Sequence, residues 1–231
     1  MNAFVLKIIA CITMFIDHIG YVIFHGSSSF FNYIGRFSFP IFAFQISEGY
    51  VHTRNIKKYI IRLVIFAFIY QIPFMLFHSI INSDFAVNVI FTLFFGLLSI
   101  IVYDKCNKFL GFFTTIILGI IAQFAKFDYG FYGVFITFLF YVCNKNKLFL
   151  LVGFTISTII NYSYKIFIYN QFGIDFLKFA FQYYLPYAIF TLLSILIILL
   201  YNKKKGPNTK YFLYLFYPLH LLLLYGIHLL V

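Results

Sequence analysis

Charge is scarce in this chain. Asp, Glu, Lys and Arg together make up 10% of its 231 residues, and no polar stretch long enough to form a soluble domain interrupts the apolar runs. With 63% apolar residues and a mean hydropathy of +0.96, the chain exceeds what any soluble core of this length requires, so its solvent is a lipid bilayer. Tryptophan is absent, and tyrosine, present 20 times, must supply the amphipathic belt at the two interfaces. Tyr103, Tyr162, Tyr183 and Tyr211 fall near segment ends, as a belt requires. The three cysteines, Cys11, Cys106 and Cys143, have neither metal-ligand nor redox spacing, and no metal is expected. No Pro/Gly/Ser linker and no fixed-period repeat is present, which leaves one helical domain over residues 1–231. A signal-peptide core would not carry Asp and His with further apolar runs following at once, so the first segment is expected to be retained.

What is there is nine apolar segments, at about 3–25, 34–52, 59–78, 87–103, 109–125, 129–143, 148–169, 180–201 and 211–230. The fold class is therefore all-α, a polytopic transmembrane bundle. Eight to ten spans fit the pattern, and nine fit the charges without a violation. The net charge of +11 sits in short connections rather than on a face for nucleic acid, so no nucleic-acid partner is expected. Arg54, Lys57 and Lys58 follow the second segment, Lys105 and Lys108 the fourth, Lys145 and Lys147 the sixth, and Lys203, Lys204, Lys205 and Lys210 the eighth. The alternate connections hold little beyond Lys126, Lys165 and Lys178. By the positive-inside rule the amino terminus and the basic loops are cytoplasmic, in a multi-pass protein of the cell membrane.

Asp17 and His18 stand near the middle of the first segment, in Met14-Phe15-Ile16-Asp17-His18-Ile19-Gly20. Each ionisable group at that depth costs about 2.5–3.5 kcal/mol on insertion scales, which demands a partner or a task. Lys7 marks the inner end, and Asp17 lies about 15 Å further along the helical rise. Adjacent helical residues point about 100° apart, so the two side chains can line one cavity but cannot readily bond each other. Another helix must orient the imidazole, and His220 of Tyr217-Pro218-Leu219-His220-Leu221 and Gln71 of Gln71-Ile72-Pro73-Phe74 are the candidates. The plainer alternative is polar glue between helices.

In the second segment Arg36, Pro40, Ala43 and Ser47 follow helical spacing as a small polar stripe, and Pro40 leaves the carbonyl of Arg36 without its donor. Arg36 either clamps a carboxylate or acyl oxygen or snorkels to headgroups. Glu48 faces Arg54, Lys57, Lys58 and Arg62, as a solvated ion-pair cluster or a phosphate site. On the outer side, Asn88 to Gly96, with Thr92, opens the fourth segment, and Phe127-Asp128-Tyr129-Gly130 forms a tight turn in which Asp128 serves either the turn or a cationic acceptor.

Lys7-Ile8-Ile9-Ala10, Met14 through Gly20, Gly35-Arg36 through Tyr50, Arg62-Leu63, Gln71-Ile72-Pro73-Phe74, Phe91-Thr92-Leu93, Asp128-Tyr129-Gly130 and Tyr217-Pro218-Leu219-His220-Leu221 together resemble the TraX family. The resemblance spans the chain, strongest over residues 7–78 and 211–222 and weakest over 140–205. It implies a membrane protein linked to conjugation, whose founding activity is acetylation of the pilin amino terminus. It also implies kinship with transmembrane acyltransferases that carry acetyl from cytoplasmic acetyl-CoA across the membrane through an intramembrane histidine. His18 would fill that role. On this reading the catalytic residues are His18 as base, Asp17 holding its charge balance and Arg36 stabilising the tetrahedral intermediate; an acetyl-histidine intermediate is the alternative to direct transfer. Gln71, Asn88, Asp128, Tyr129 and His220 would bind the acceptor, an extracytoplasmic peptide or glycan. Arg54, Lys57 and Lys58 would meet the phosphates of acetyl-CoA. Midplane Asp and His also suit a proton-coupled transporter, although the inverted repeat is missing, and a noncatalytic scaffold of a surface or conjugation apparatus is the third reading.

Overall fold

A computed structural model describes residues 1–24, 30–81, 85–170, 180–207 and 210–230. Lys178, and the side chains of Tyr183, Lys210 and Tyr211, lie outside the described residues. The described residues form ten α-helices and one π turn: α1 Ala3–Ile23, α2 Phe30–Gly35, α3 Ser38–His52, α4 Ile56–Ile81, α5 Val89–Lys105, α6 Lys108–Phe124, α7 Gly130–Val142, α8 Lys147–Asn170, the π turn Ala180–Tyr184, α9 Leu185–Leu199 and α10 Lys210–Leu230. Among them there is no strand, only an isolated bridge between Val87 and Phe127. In hydrocarbon the backbone must satisfy itself, and a helix does so within one segment.

Asparagine starts many of these helices. The side chains of Asn2, Asn55, Asn88, Asn107 and Asn146 accept from Val5, Lys58, Ile90, Phe109 and Leu148 backbone N–H groups at 2.9, 2.9, 3.0, 2.8 and 3.0 Å. Each satisfies one of the orphan donors of a helix N-terminus.

Four helices are long and apolar enough to cross a membrane, Ala3–Ile23, Ile56–Ile80, Lys147–Ile168 and Ala180–Leu199, and several shorter apolar helices accompany them. Large apolar side chains face outward along them: Phe124 is 84% exposed, Phe109 75% and Ile72 70%. Outward apolar faces of this kind suit a lipid environment.

The second apolar segment is not one continuous helix. The chain is helical over α2, turns at Arg36-Phe37, and restarts as α3, with Phe37 N donating to Ile34 O at 3.1 Å and Ser38 Oγ donating to Gly35 O at 2.9 Å. Pro40 is thus the third residue of α3, where a missing N–H breaks no helical bond. The expected stripe from Arg36 through Pro40 to Ser47 is not one helix face, because Arg36 lies in the turn.

The chain divides into two compact units, Met1–Ile41 with Cys143–Gly206, and Phe42–Val142 with Pro207–Val231. In the first unit α1 packs on α2 and α8 on α9, and Phe190 of α9 meets the rings of Phe30, Tyr33 and Phe37 at 6.0, 5.8 and 5.8 Å. In the second unit α5, α6 and α7 pack on one another and α4 packs on α5 and α10. Tyr50, Leu97, Ile100 and Phe138 form one core there, and Ala67, Tyr70 and Ile90 another. Close approach rests on missing side chains: a Cβ at Gly96 would strike Thr137, and one at Gly111 would strike the backbone of Tyr103.

Candidate functional site

The first unit gathers its polar side chains around Arg36. From α1, Asp17 Oδ1 accepts from Arg36 Nη2 at 3.3 Å and from Asn32 Nδ2 of α2 at 3.1 Å. Asn32, with no exposed surface, also donates to the Asp17 carbonyl at 3.1 Å, and its own carbonyl accepts from Arg36 Nε at 3.1 Å. The guanidinium carbon lies 4.8 Å above the Tyr187 ring of α9, and Tyr21 and Tyr162 are electrostatic neighbours of the same guanidinium. Tyr162 of α8 is tied to Thr191 at 2.9 Å, and Thr191 donates to the Tyr187 carbonyl at 2.8 Å. Four helices, α1, α2, α8 and α9, therefore contribute to the surroundings of one cation.

His18 is half-buried one residue from Asp17, and Arg36 is its electrostatic neighbour. Asp17 spends its side chain on Arg36 and Asn32, so it balances the guanidinium rather than the imidazole, and Arg36 is a paired cation rather than a bare one. Such a pair is nearly neutral as a whole, which makes it tolerable at depth. Gly35 is part of this arrangement, because a Cβ there would overlap the Asp17 side chain. Asn32, Tyr21, Tyr187 and Thr191 were not singled out in the sequence; Asn32, a lone amide inside Phe30-Phe31-Asn32-Tyr33, was the one signal available. Tyr162, expected in the interfacial belt, is 7% exposed and turned into this cluster.

The remaining candidates lie in the second unit. Gln71 Nε2 donates to Ala86 O at 2.8 Å, and its Oε1 accepts from Asn88 N and Nδ2 at 3.0 and 2.8 Å. Asn88 Nδ2 also reaches Ala67 O at 2.8 Å, so the two amides join α4 to the start of α5. His220 Nδ1 is 2.7 Å from Phe216 O, and its ring packs on Phe216 and Tyr217, at 4.9 and 5.6 Å. Gln71 and His220 thus have partners of their own within this unit. Asp128 donates its N–H to Val87 O at 2.9 Å and accepts Thr92 Oγ1 on its carbonyl at 2.5 Å, while Tyr129 takes φ 64 to close the turn.

Arg54, Lys57 and Lys58 are exposed around the start of α4. Glu48, expected to face them, pairs with His52 one turn further along α3 at 3.3 Å. Ser47 Oγ and Arg62 Nε are buried without a hydrogen-bond partner, at about 1–3 kcal/mol each. Among the described residues no group of three or more His, Cys, Asp or Glu is placed to hold a metal.

At the end of α5, beyond its apolar run, Asp104 accepts from Tyr50 and Tyr141 hydroxyls at 2.7 Å each and pairs with Lys105 at 3.2 Å. The bond from Tyr50, then that from Tyr141, holds this carboxyl below the usual carboxylate range. Because the folded value lies below the unfolded one, the stabilisation is complete above about pH 3.9 and disappears as the pH falls through the folded value. Tyr50→Phe should cost about 1 kcal/mol at neutral pH and flatten the acid limb of a thermal-stability titration relative to the unaltered protein. An unchanged acid limb would dismiss the clasp.

The folding and the site together define a polytopic helical membrane protein with a buried carboxylate–guanidinium pair beside a histidine. The chain belongs to the TraX family, whose model, described as TraX protein, matches residues 3–228. It is similar to the probable fimbrial assembly protein FimC, serogroup H1, of Dichelobacter nodosus, with 28% identity over 240 residues that cover 96% of this chain and 94% of the relative. No solved structure matches the chain.

Proposed function

We propose that the protein is a membrane-embedded acetyltransferase that moves acetyl from cytoplasmic acetyl-CoA to an extracytoplasmic acceptor, either the amino terminus of a pilin-like peptide or an amino sugar or other surface group. The observation that carries this reading is His18 of α1 beside the pair of Asp17 with Arg36, in a chain of the TraX family. A relative named for fimbrial assembly supports a surface peptide as acceptor. In this reading the chain spans the cell membrane nine times, with its amino terminus and basic connections in the cytoplasm.

The chemistry asks little more than a base and a fixed field. The acceptor nitrogen attacks the acetyl carbonyl, its proton passes to the imidazole of His18, and the thiolate of coenzyme A leaves and takes up a proton. Arg36, locked by Asp17, Asn32 and the Tyr187 ring, supplies a fixed positive field for the developing oxyanion, with Tyr21 beside it. Asp17 is then a positioning residue. Gln71 and Asn88 hold α4 to α5, and Asp128 with Tyr129 of the outer turn stay as the acceptor-side candidates.

The test is a mass-spectrometric comparison of surface peptides and glycans from cells with and without the protein. The expected product is heavier by one acetyl group, with matching consumption of acetyl-CoA by the purified protein. An identical acetyl profile would reject the enzyme. Transport of an unmodified substrate would instead identify a carrier.

A further inference from the structure

In the second unit, Ser47 of α3 and Arg62 of α4 are donors buried without acceptors. Ser47 has no exposed surface, yet its hydroxyl lacks even the backbone partner one turn back that Ser99, Thr115 and Thr137 use within their helices. Arg62 Nε is buried and unpartnered, and the guanidinium carbon lies 5.9 Å from the centre of the Tyr59 ring. The hydroxyl of that ring bonds Ile46 O at 3.4 Å, and a Cβ at Gly49 would lie 2.8 Å from it. Tyr59 therefore bridges Arg62 to the stretch of α3 that contains Ser47. The carboxylate nearest in sequence, Glu48, pairs with His52. Arg54, Lys57 and Lys58 add exposed positive charge at the start of α4.

From these two orphan donors we infer an oxoanion site in the second unit that takes a phosphate group between Ser47 and Arg62. Nε–H and the adjacent Nη–H of a guanidinium form the fork that meets two phosphate oxygens, and a hydroxyl supplies a third donor. The exposed cations of the α4 start attract the anion; the buried donors orient it. A phosphate of coenzyme A and an anionic lipid headgroup share this chemistry. The coenzyme source rests on the function proposed above, whereas the site itself does not.

The test uses the full chain, purified in neutral detergent, with coenzyme A and 3′,5′-ADP as soluble probes and nanodiscs containing phosphatidylglycerol as the lipid probe. Arg62→Gln should weaken the bound probe by about tenfold to a hundredfold and Ser47→Ala by about threefold to tenfold. Arg62→Lys should fail to restore binding, because an ammonium lacks the fork. Thermal midpoints without probe should stay level or rise, since each truncation removes an unsatisfied donor. Dependence of the soluble probes on Arg62 assigns the coenzyme; dependence of phosphatidylglycerol alone assigns the lipid. Binding of all three probes that ignores both substitutions, or no binding by the unaltered protein, overturns the site. Phosphate binding that persists where acetyl transfer is absent would remove the enzyme and leave the site standing.

Discussion

His18→Ala should lower acetyl transfer by about 10²–10⁴-fold, to the limit of detection in practice, while insertion, yield and thermal midpoint stay near those of the unaltered protein. The expectation rests on what else the first unit offers. Among its described residues His18 is the one imidazole, and an imidazole is the side chain that is substantially neutral and still basic near pH 7. Asp17 cannot replace it, because its carboxylate is engaged by Arg36 and Asn32. Acetyl transfer is followed by mass spectrometry of the acceptor and by release of free coenzyme A thiol. Retained turnover in a well-folded variant would remove His18 from the mechanism.

The largest effect on stability is expected from Arg36→Gln. The substitution takes the cation from the carboxylate of buried Asp17, removes the stacking on Tyr187 and takes away the donor that Arg36 gives the Asn32 carbonyl. Breaking one side of a buried pair costs about 3–5 kcal/mol, mostly because the remaining charge is stranded. Asp17→Asn combined with Arg36→Gln should therefore recover more than half of that loss, since no charge is left to strand. Arg36→Lys should recover less, because an ammonium cannot serve Asp17 and the Asn32 carbonyl while lying flat on the ring. Denaturant titration in mild detergent reads all three. If Arg36→Gln unfolds at the same midpoint as the unaltered chain, the pair holds nothing together.

The helices were legible because bilayer insertion leaves a plain record: each of the nine apolar runs contains a described helix, with ends within a few residues except where the second run breaks at Arg36-Phe37. The break was hidden because Pro40 suggested a disruption inside a helix, whereas its place in the first turn makes it an ordinary starter. Asp17, His18 and Arg36 were each recognisable from the cost of charge in an apolar run. Their pairing was not, since α2 supplies Asn32 as the third member and hydrophobic periodicity says nothing about which of two neighbouring polar groups a cation chooses. Tyr162 was misplaced for a related reason: a tyrosine near a segment end suits both an interface and an internal hydroxyl, and only Thr191 across from it decides. Ser47 and Arg62 were visible only as members of a polar stripe and of a charge cluster, because what sets them apart, the lack of a hydrogen-bond partner, leaves no pattern in sequence.

Gly35 adds a requirement that no list of reactive groups would contain. The carboxylate of Asp17 occupies the volume where a methyl on residue 35 would stand, so the anion and the bare backbone share one mould. A residue without any functional atom therefore belongs to the electrostatics of the site as firmly as the charged partners do, and even the smallest enlargement there would push the anion away from its cation.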